Sequence, residues 1–354
     1  MPKTFTIVFV HILPENHMGQ VTIKDVAKVA GVSYATVSRA LSGSSEIGNA
    51  TREKILKLCE EMGYTPNSIA RSMIIKRTYT IGLIIGTMNN PFMSEMSNFV
   101  EQKARESGYN LMVCTSSYDA NNERKAFELL VGRQVDGIVF LPATRDSYEN
   151  IKPLISKIPT VFLSENLQDK NVNYVAVDNF KGTKIGTQYL YDLGHRKTLY
   201  LGRRHNSYTH KLRASGYEEA CIELGIEPDF LYTSSVRSSM EVGYELASEY
   251  FKQGIRHTAL FCATDSMAIG AMRAADEMNI RIPDDISMMG FDNIIFSGLP
   301  RINLTTVEQP MKKMADTAVN MLLQEIDDPE GGGQYAHVIL EPSLVKRSSC
   351  KEVN

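Results

Sequence analysis

The chain has 354 residues, 43 % of them hydrophobic and 22 % charged, with a formal net charge of −3. At about 100–200 residues per domain, this length and apolar content support two or three domains with sizeable cores and exclude intrinsic disorder. No apolar run approaches the ~18 residues that a membrane-spanning helix requires. Five scattered cysteines without a CxxC pair fit neither a disulfide framework nor a zinc site, and they read as small buried hydrophobes in a reducing cytoplasm.

Residues 1–17 hold a short apolar run, Thr4 to Leu13, behind a single Lys3. It lacks the basic leader and small-residue cleavage site of an export signal, and reads as a non-functional or disordered extension ahead of Met18. From Thr22 the pattern becomes helical. Thr22 is an N-cap with Asp25 three residues on, Ile23, Val26, Ala27 and Ala30 recur at helical spacing, and Gly31 ends the helix. Ser33 caps a second helix, Tyr34 to Leu41, whose inward positions are Val37, Ala40 and Leu41. The turn Gly31-Val32-Ser33 gives the two helices the spacing of a DNA-binding helix-turn-helix, whose second helix enters the major groove; an ordinary αα-hairpin is the alternative. On the exposed face Arg39 suits a guanine, Tyr34 and Ala35 suit base contacts near the helix start, and Ser33, Thr36 and Ser38 can reach phosphates. Thr22 and Thr51 belong to the same DNA-facing set. A third helix is expected from Ala50 to Met62, stopped by Gly63, with Pro66 beyond it.

Charge is divided along the chain. Residues 18–78 contain nine basic and five acidic side chains, a surplus of four, which leaves −7 for residues 79–354. A small cationic module fused to a larger acidic one is the asymmetry expected of an N-terminal nucleic-acid binder.

The stretch from Val21 to Thr78 closely resembles, without a gap, the headpiece of the lactose-repressor (LacI/GalR) family of bacterial transcription factors. The resemblance implies that residues 20–66 form the headpiece and that Tyr34, Ala35 and Arg39 read bases. It also implies that residues 67–78 are a hinge helix and linker, with Asn67, Ala70, Arg71 and Met73 meeting the minor groove when two subunits pair on an operator. Met73 stands where the family has a leucine wedge, and methionine is similarly long and apolar.

From Thr80 short β-branched runs alternate with amphipathic helices. Eight strands are expected, from Thr80–Ile85 to Ile286–Gly290, and seven helices, from Phe92–Ser107 to Ser266–Asn279. Such alternation implies parallel sheet covered by helices on both faces, divided into two units. Open parallel sheets bind ligands beyond the carboxyl ends of their strands, which points to the loops at residues 89–92, 164–165, 203–207, 263–265 and 291–293. There is no GxGxxG, GxxxxGK[ST], GxSxG or HExxH, and the seven histidines have no metal-ligand spacing. No catalytic residue, cofactor or metal is therefore expected, and an enzyme is not favoured.

The family resemblance continues through Asn90-Pro91-Phe92, Arg213-Ala214-Ser215-Gly216-Tyr217, Thr264-Asp265-Ser266-Met267-Ala268 and Gly290-Phe291-Asp292-Asn293. It implies an α/β core of two Rossmann-like subdomains, built like periplasmic sugar-binding proteins, behind an all-α headpiece. Three crossovers would join an N-subdomain (about 79–164 plus 310–330) to a C-subdomain (about 165–309 plus 335–347), clamping a small effector. Matched position by position, Arg213 and Asp292 fall where family members hold the effector. A guanidinium fork and a carboxylate can grip sugar hydroxyls from two sides, or close the cleft as a buried ion pair. Phe92 offers a ring to stack on the ligand or belongs to the core under its helix. Asp265 touches the effector or caps a helix. Thr264 and Ser164 complete the set. Ser164 replaces an aspartate and Ser238 an aromatic ring of the lactose and purine repressors, so one carboxylate and one stacking platform are missing. Arg203, Arg204, His205, His210 and Lys211 gather near one cleft loop, as the seat of an anionic effector or as a solvated basic loop. The reading is a cytoplasmic, nucleoid-associated homodimeric repressor that binds double-stranded operator DNA and a sugar or sugar derivative, with no membrane partner. A solute-binding protein and a sugar-modifying enzyme are the alternatives. No heptad tail follows Val345, which favours a dimer over a tetramer.

Overall fold

The computed structural model describes residues 21–42, 46–64, 77–142, 145–165, 167, 169, 171–203, 207–235, 239–328 and 335–353, in two compact units that divide between Lys76 and Arg77. The expected hinge positions Asn67, Ala70, Arg71 and Met73, the extension at 1–17, and Arg204, His205 and Ser238 lie outside the described residues. Among the described residues no helix is long and apolar enough to cross a membrane.

Among its described residues the first unit contains three helices, α1 (Ile23–Ala30), α2 (Tyr34–Ser42) and α3 (Asn49–Glu61). Thr22 and Asp25 form a reciprocal capping box, and Gly31 takes the left-handed conformation at φ 70°, a geometry that costs a glycine least. Ser33 Oγ accepts the Thr36 backbone N–H at 3.1 Å, which caps α2 as its sequence suggests. Val26, Val37, Ala40, Ile55 and Cys59 meet in a small core. Ala27 and Ala30 keep the first helix thin enough for the other two to approach it.

The second unit has two six-stranded sheets. The first contains β1 (Thr80–Ile85), β2 (Asn110–Thr115), β3 (Gly137–Phe140), β4 (Thr160–Leu163) and β5 (Asn173–Val177), joined at one edge by β11 (His337–Leu340), in the order β11-β5-β4-β3-β1-β2. Ile81, Leu83, Ile84 and Ile85 are completely buried, as a parallel strand covered on both faces must be. Ile81, Leu83 and Ile85 face Phe92, Met96 and Val100 of α4 (Pro91–Glu106) and Met314, Ala318 and Leu322 of α11 (Met311–Asp327). Ile84 faces the other way, towards Phe127 and Leu130 of α5 (Ala120–Gly132) and Ile151 of α6 (Arg145–Ile155).

The second sheet contains β6 (Thr198–Arg203), β7 (Asp229–Thr233), β8 (Ala259–Cys262), β9 (Ser287–Asp292), β10 (Thr305–Glu308) and β12 (Ser343–Val345), in the order β12-β10-β9-β8-β6-β7. Only β12 runs antiparallel to its neighbour. Around it pack α7 (Asn179–Asp192), α8 (Tyr208–Glu223), α9 (Met240–Lys252) and α10 (Asp265–Glu277).

The chain passes between the sheets three times: after Val177, after Glu308 and between Leu340 and Ser343. The subdomain limits differ from the sequence reading, because Asn173–Val177 and His337–Leu340 pair within the first sheet. The first crossover is therefore after residue 177 and not at 165. Strands Asp229–Thr233, Thr305–Glu308, His337–Leu340 and Ser343–Val345, and helix Met311–Asp327, are further elements beyond those expected.

Candidate functional site

Two regions concentrate the expected functional residues. In the first unit, α2 buries Val37 and Ala40 and leaves Tyr34, at 63 % exposure, on the outer side. Ser33 and Arg39 are also exposed, while Ala35, Thr36 and Ser38 are half-buried. Arg39 lies 3.3 Å from Glu46, an exposed ion pair that contributes little and exchanges readily for another partner. Thr22 is exposed, but its hydroxyl is engaged with the Asp25 carboxylate at 2.6 Å, so its role within the chain is to cap α1. Thr51 is exposed in the first turn of α3.

In the second unit the carboxyl ends of β1, β3, β4, β6, β8 and β9 border one cleft between the two sheets. Phe92, Ser164, Arg213, Thr264 and Asp292 all line it, so five of the six expected effector positions come together. Arg213 is 2 % exposed. Its Nη1 lies 3.2 Å from Asp292 Oδ1 and donates to the Ala263 carbonyl at 2.5 Å. Its Nε donates to Asn179 Oδ1 at 2.8 Å, and the guanidinium lies 3.7 Å from the Phe291 ring centroid. Asp292 Oδ1 also accepts Gln309 Nε2 at 2.7 Å. Burial pushes the Asp292 carboxyl above its ordinary range, with Arg213 pulling the other way. The two readings of this pair are thus compatible: it is an ion pair, and it forms part of the cleft wall. Asp292 has φ 132° and Ser164 φ 71°, backbone conformations that cost about 1–3 kcal/mol each and cluster at functional sites.

Phe92 has both roles considered for it, since it lines the cleft and packs in the first sheet's core. Asn90 caps its helix, accepting the Phe92 N–H at 3.0 Å. Asp265 is not in the cleft wall. Thr264 is the N-cap of α10, and the Asp265 carboxylate accepts the Ile294 N–H at 3.0 Å, Ser297 Oγ at 2.6 Å and Thr306 Oγ1 at 2.5 Å. It ties down the turn after β9.

Three lining residues, Tyr118, Gln309 and Thr209, were not singled out in the sequence. Tyr118 follows β2 with φ 63°, next to Ser117 at φ 56°. Its hydroxyl accepts Asn90 Nδ2 at 3.3 Å, and a side chain at Gly86 would strike its ring. Gln309 sits on the second crossover, 2 % exposed. Thr209 donates to Glu165 Oε2 at 2.6 Å and belongs to the first turn of α8. Glu165 follows the serine that replaces the expected aspartate, yet its oxygens accept from Ser207 Oγ, the Tyr208 and Thr209 N–H groups and Thr209 Oγ1. Of the basic cluster, Arg203 and His210 line the cleft and Lys211 faces solvent. Burial holds Arg203 down to about 10, against the attraction of Glu165. Burial, reinforced by Arg203 and Arg213, keeps His210 well below the usual histidine range.

Comparison with known proteins accounts for both regions at once. Residues 22–67 match the family model for bacterial regulatory proteins of the lacI family, and residues 187–350 match that for the periplasmic binding protein-like domain. The ribose operon repressor of Haemophilus influenzae is 32 % identical over 330 residues, covering 93 % of this chain and 98 % of that protein. The chain belongs to the lacI family of bacterial regulatory proteins. The transcriptional repressor PurR of the same species is 33 % identical over 337 residues, covering 94 % and 99 %. The fold of this lacI-family chain superposes on the lac repressor dimer bound to operator and the anti-inducer ONPF with a TM-score of 0.83, at 28 % identity, over 94 % of this chain and 100 % of that one. All three of these proteins are repressors, and the last is seen bound to its operator.

Proposed function

We propose that the protein is an effector-controlled transcriptional repressor that acts in the cytoplasm as a homodimer on a pseudo-palindromic operator. Each α2 would enter a major groove, with Arg39, Tyr34 and Ala35 on base edges and Ser33, Thr36 and Ser38 on phosphates. Residues 67–73 of two subunits would pair in the central minor groove, with Met73 as the wedge. A sugar or sugar derivative would occupy the cleft and contact Arg213, Asp292, Ser164, Thr264 and Phe92. Asp265 would act behind the wall by holding it in place. Ile295, Phe296 and Leu299 leave apolar side chains exposed at 67, 40 and 46 % within one short segment of the core, a surface that a second copy would cover.

The observation that carries this reading is one chain with both an exposed polar face on α2 and a cleft at the strand carboxyl ends holding a buried Arg213–Asp292 pair. The test is selection of binding sites from random duplexes with the full chain, followed by titration of the selected site with and without candidate sugars and nucleobases. A pseudo-palindrome should emerge, and one ligand should change its affinity by about 5–150-fold. Failure to enrich any sequence would overturn the DNA-binding half. A genuine operator whose affinity no ligand alters would overturn the effector half.

A further inference from the structure

We propose that the effector is a two-unit glycoside, a sugar ring joined to a second ring system, whose body rests at the mouth of the cleft while one hydroxyl-bearing end reaches the inner wall. The inference rests on the cleft being the effector site. It starts from size. The inner hollow, whose wall includes Ser164, Arg213, Asp292 and Gln309, has a volume of about 80 Å³. A cavity of about 150 Å³ is what one benzene ring occupies, so a whole sugar ring does not fit there. Beside it, with Asn90 and Tyr118 as a shared border, a second hollow of about 420 Å³ opens between the loops of the first sheet and the starts of α9 and α10. That is nearly three times the benzene cavity, and it has room for two rings.

Both walls of this outer hollow are fixed in place. On the side of the first sheet, Ser117 and Tyr118 are consecutive non-glycine residues in the left-handed region, at φ 56° and 63°, a strain that clusters at ligand clamps. Their N–H groups are held by the Gly86 carbonyl at 2.8 Å and by Ser116 Oγ at 3.2 Å. Gly86 has no side chain to keep the Tyr118 ring away, and an aromatic face set in this way can pack against a ring of the ligand. On the opposite side, Ser239 and Ser266 stand at the starts of α9 and α10. The backbones of these helices meet where Gly270 faces the Met240 carbonyl, so main chain sets the spacing of the two serines. Ser239 Oγ accepts the Val242 N–H at 3.3 Å and keeps its own proton for a ligand oxygen.

The inner wall decides which end of the ligand it receives. Arg213 is already bound to Asn179, Ala263 and Asp292, and Asp292 also to Gln309. Gln309 differs from that pair. Its Nε2 is fixed on Asp292, while its Oε1 is buried with no hydrogen-bond partner among the described residues. An acceptor in this state is satisfied by one hydroxyl. A hydroxymethyl group on the inner ring brings that hydroxyl and is small enough for the inner hollow.

The experiment is calorimetric titration of the full chain with glucose, galactose and ribose as single sugars, and with maltose, cellobiose, lactose and inosine as two-unit glycosides. At least one glycoside should bind about tenfold or more tighter than the sugar it contains, and whether a disaccharide or the nucleoside does so separates a second sugar from a base at the mouth. Asn89→Trp, at an exposed position on the outer hollow, should abolish that gain and leave the single sugar unchanged. Ser266→Ala should weaken the glycoside alone by about three- to tenfold. Gln309→Met, which keeps the length and loses the acceptor, should weaken glycoside and single sugar alike, and the two mouth variants test the seat even if this one does not fold. Single sugars binding as tightly as every glycoside, or no glycoside binding at all, would overturn the two-unit seat. A single sugar that binds and shifts operator affinity would do so while leaving the effector reading intact. A glycoside whose gain is lost in Asn89→Trp, yet which leaves operator affinity unchanged, would support the seat and strike the effector reading itself.

Discussion

Arg213 and Asp292 show how one pair of side chains can hold a cleft together and also form its wall. Both are at least 95 % buried, 3.2 Å apart, and removal of one partner leaves a charge stranded in a low-dielectric interior. Arg213→Ala should therefore destabilise the second unit by about 3–5 kcal/mol in urea unfolding, with partial recovery on adding Asp292→Asn. A loss under about 1 kcal/mol would mean that water or a rearranged neighbour already shields Asp292. His210 gives a second prediction. Its folded pKa is depressed, so its neutral form contributes stability that is complete above the ordinary histidine pKa and is lost as pH falls below it. The stability difference between the native chain and His210→Gln should be the same at pH 7.5 and 8.5, and should shift by about 1.4 kcal/mol against the native chain at pH 5.5. Comparing the two proteins cancels the opposite trend of Asp292 and Glu165, whose raised pKa values favour the folded state as pH falls. No shift at pH 5.5 would show His210 protonating freely in the fold. Phe92, Ser164 and Asp292 were legible in the sequence from the stretches that follow buried strands, where such a sheet gathers its ligand groups, whereas Arg213, inside α8, was indicated only by the family resemblance. The direction of a carboxylate was not. Asp265 and Glu165 both follow strands, yet one ties down a turn and the other caps a helix, and that choice depends on which N–H groups tertiary packing brings near.

At the scale of elements, α9 and α10 are held at backbone contact by two glycines. A methyl group at Gly270 would run into the Met240 carbonyl oxygen, and one at Gly243 into that of Met267. Overpacking such a crossing costs about 1–3 kcal/mol or more, since neither backbone can yield alone. Gly132, near the end of α5, has open space around it. Gly270→Ala should lower the thermal midpoint by several degrees, while Gly132→Ala should leave it unchanged or raise it through the unfolded-chain entropy, worth about 0.4–1 kcal/mol. Equal effects would show that the α9–α10 crossing is looser than its geometry. The central strands were readable because each is a run of apolar residues buried on both faces. Asp229–Thr233, His337–Leu340 and Ser343–Val345 lie at sheet edges, with mostly half-exposed side chains, so nothing in their composition separates them from loops. Met311–Asp327 does carry a plain helical period in Met311, Met314, Ala315, Ala318, Leu322 and Ile326. Its place in the topology was hidden by the four-residue strand before it, whose only aliphatic residue is Val307. Crossovers belong to pairing between distant segments, which explains why the first subdomain boundary was read thirteen residues too early.

For the whole molecule, the division of charge decides how it meets DNA. Residues 18–78 carry a surplus of four positive charges and the remainder carries −7. The long-range field should therefore turn the cationic end towards a phosphate backbone and hold the acidic core away. Because phosphate contacts release counterions, affinity for any duplex should fall steeply with salt, while base contacts change the ratio of specific to non-specific binding. Arg39→Ala should therefore cost about 1–3 kcal/mol on the selected operator and leave random duplex nearly unaffected. Loss of both together would make Arg39 a phosphate contact, and loss of neither would remove it from the interface. The same logic governs the effector. If cleft and operator are coupled through the folded dimer, the factor by which a ligand changes operator affinity must equal the factor by which operator changes ligand affinity. Titrating the ligand against free and operator-bound protein at one salt concentration measures both sides of that cycle. Equal factors, about 5–150-fold, would show a single shared equilibrium between two states of the core. Unequal factors at equilibrium would show that ligand and operator bind different populations of the protein, and the regulatory reading would then fail even if each site binds as described.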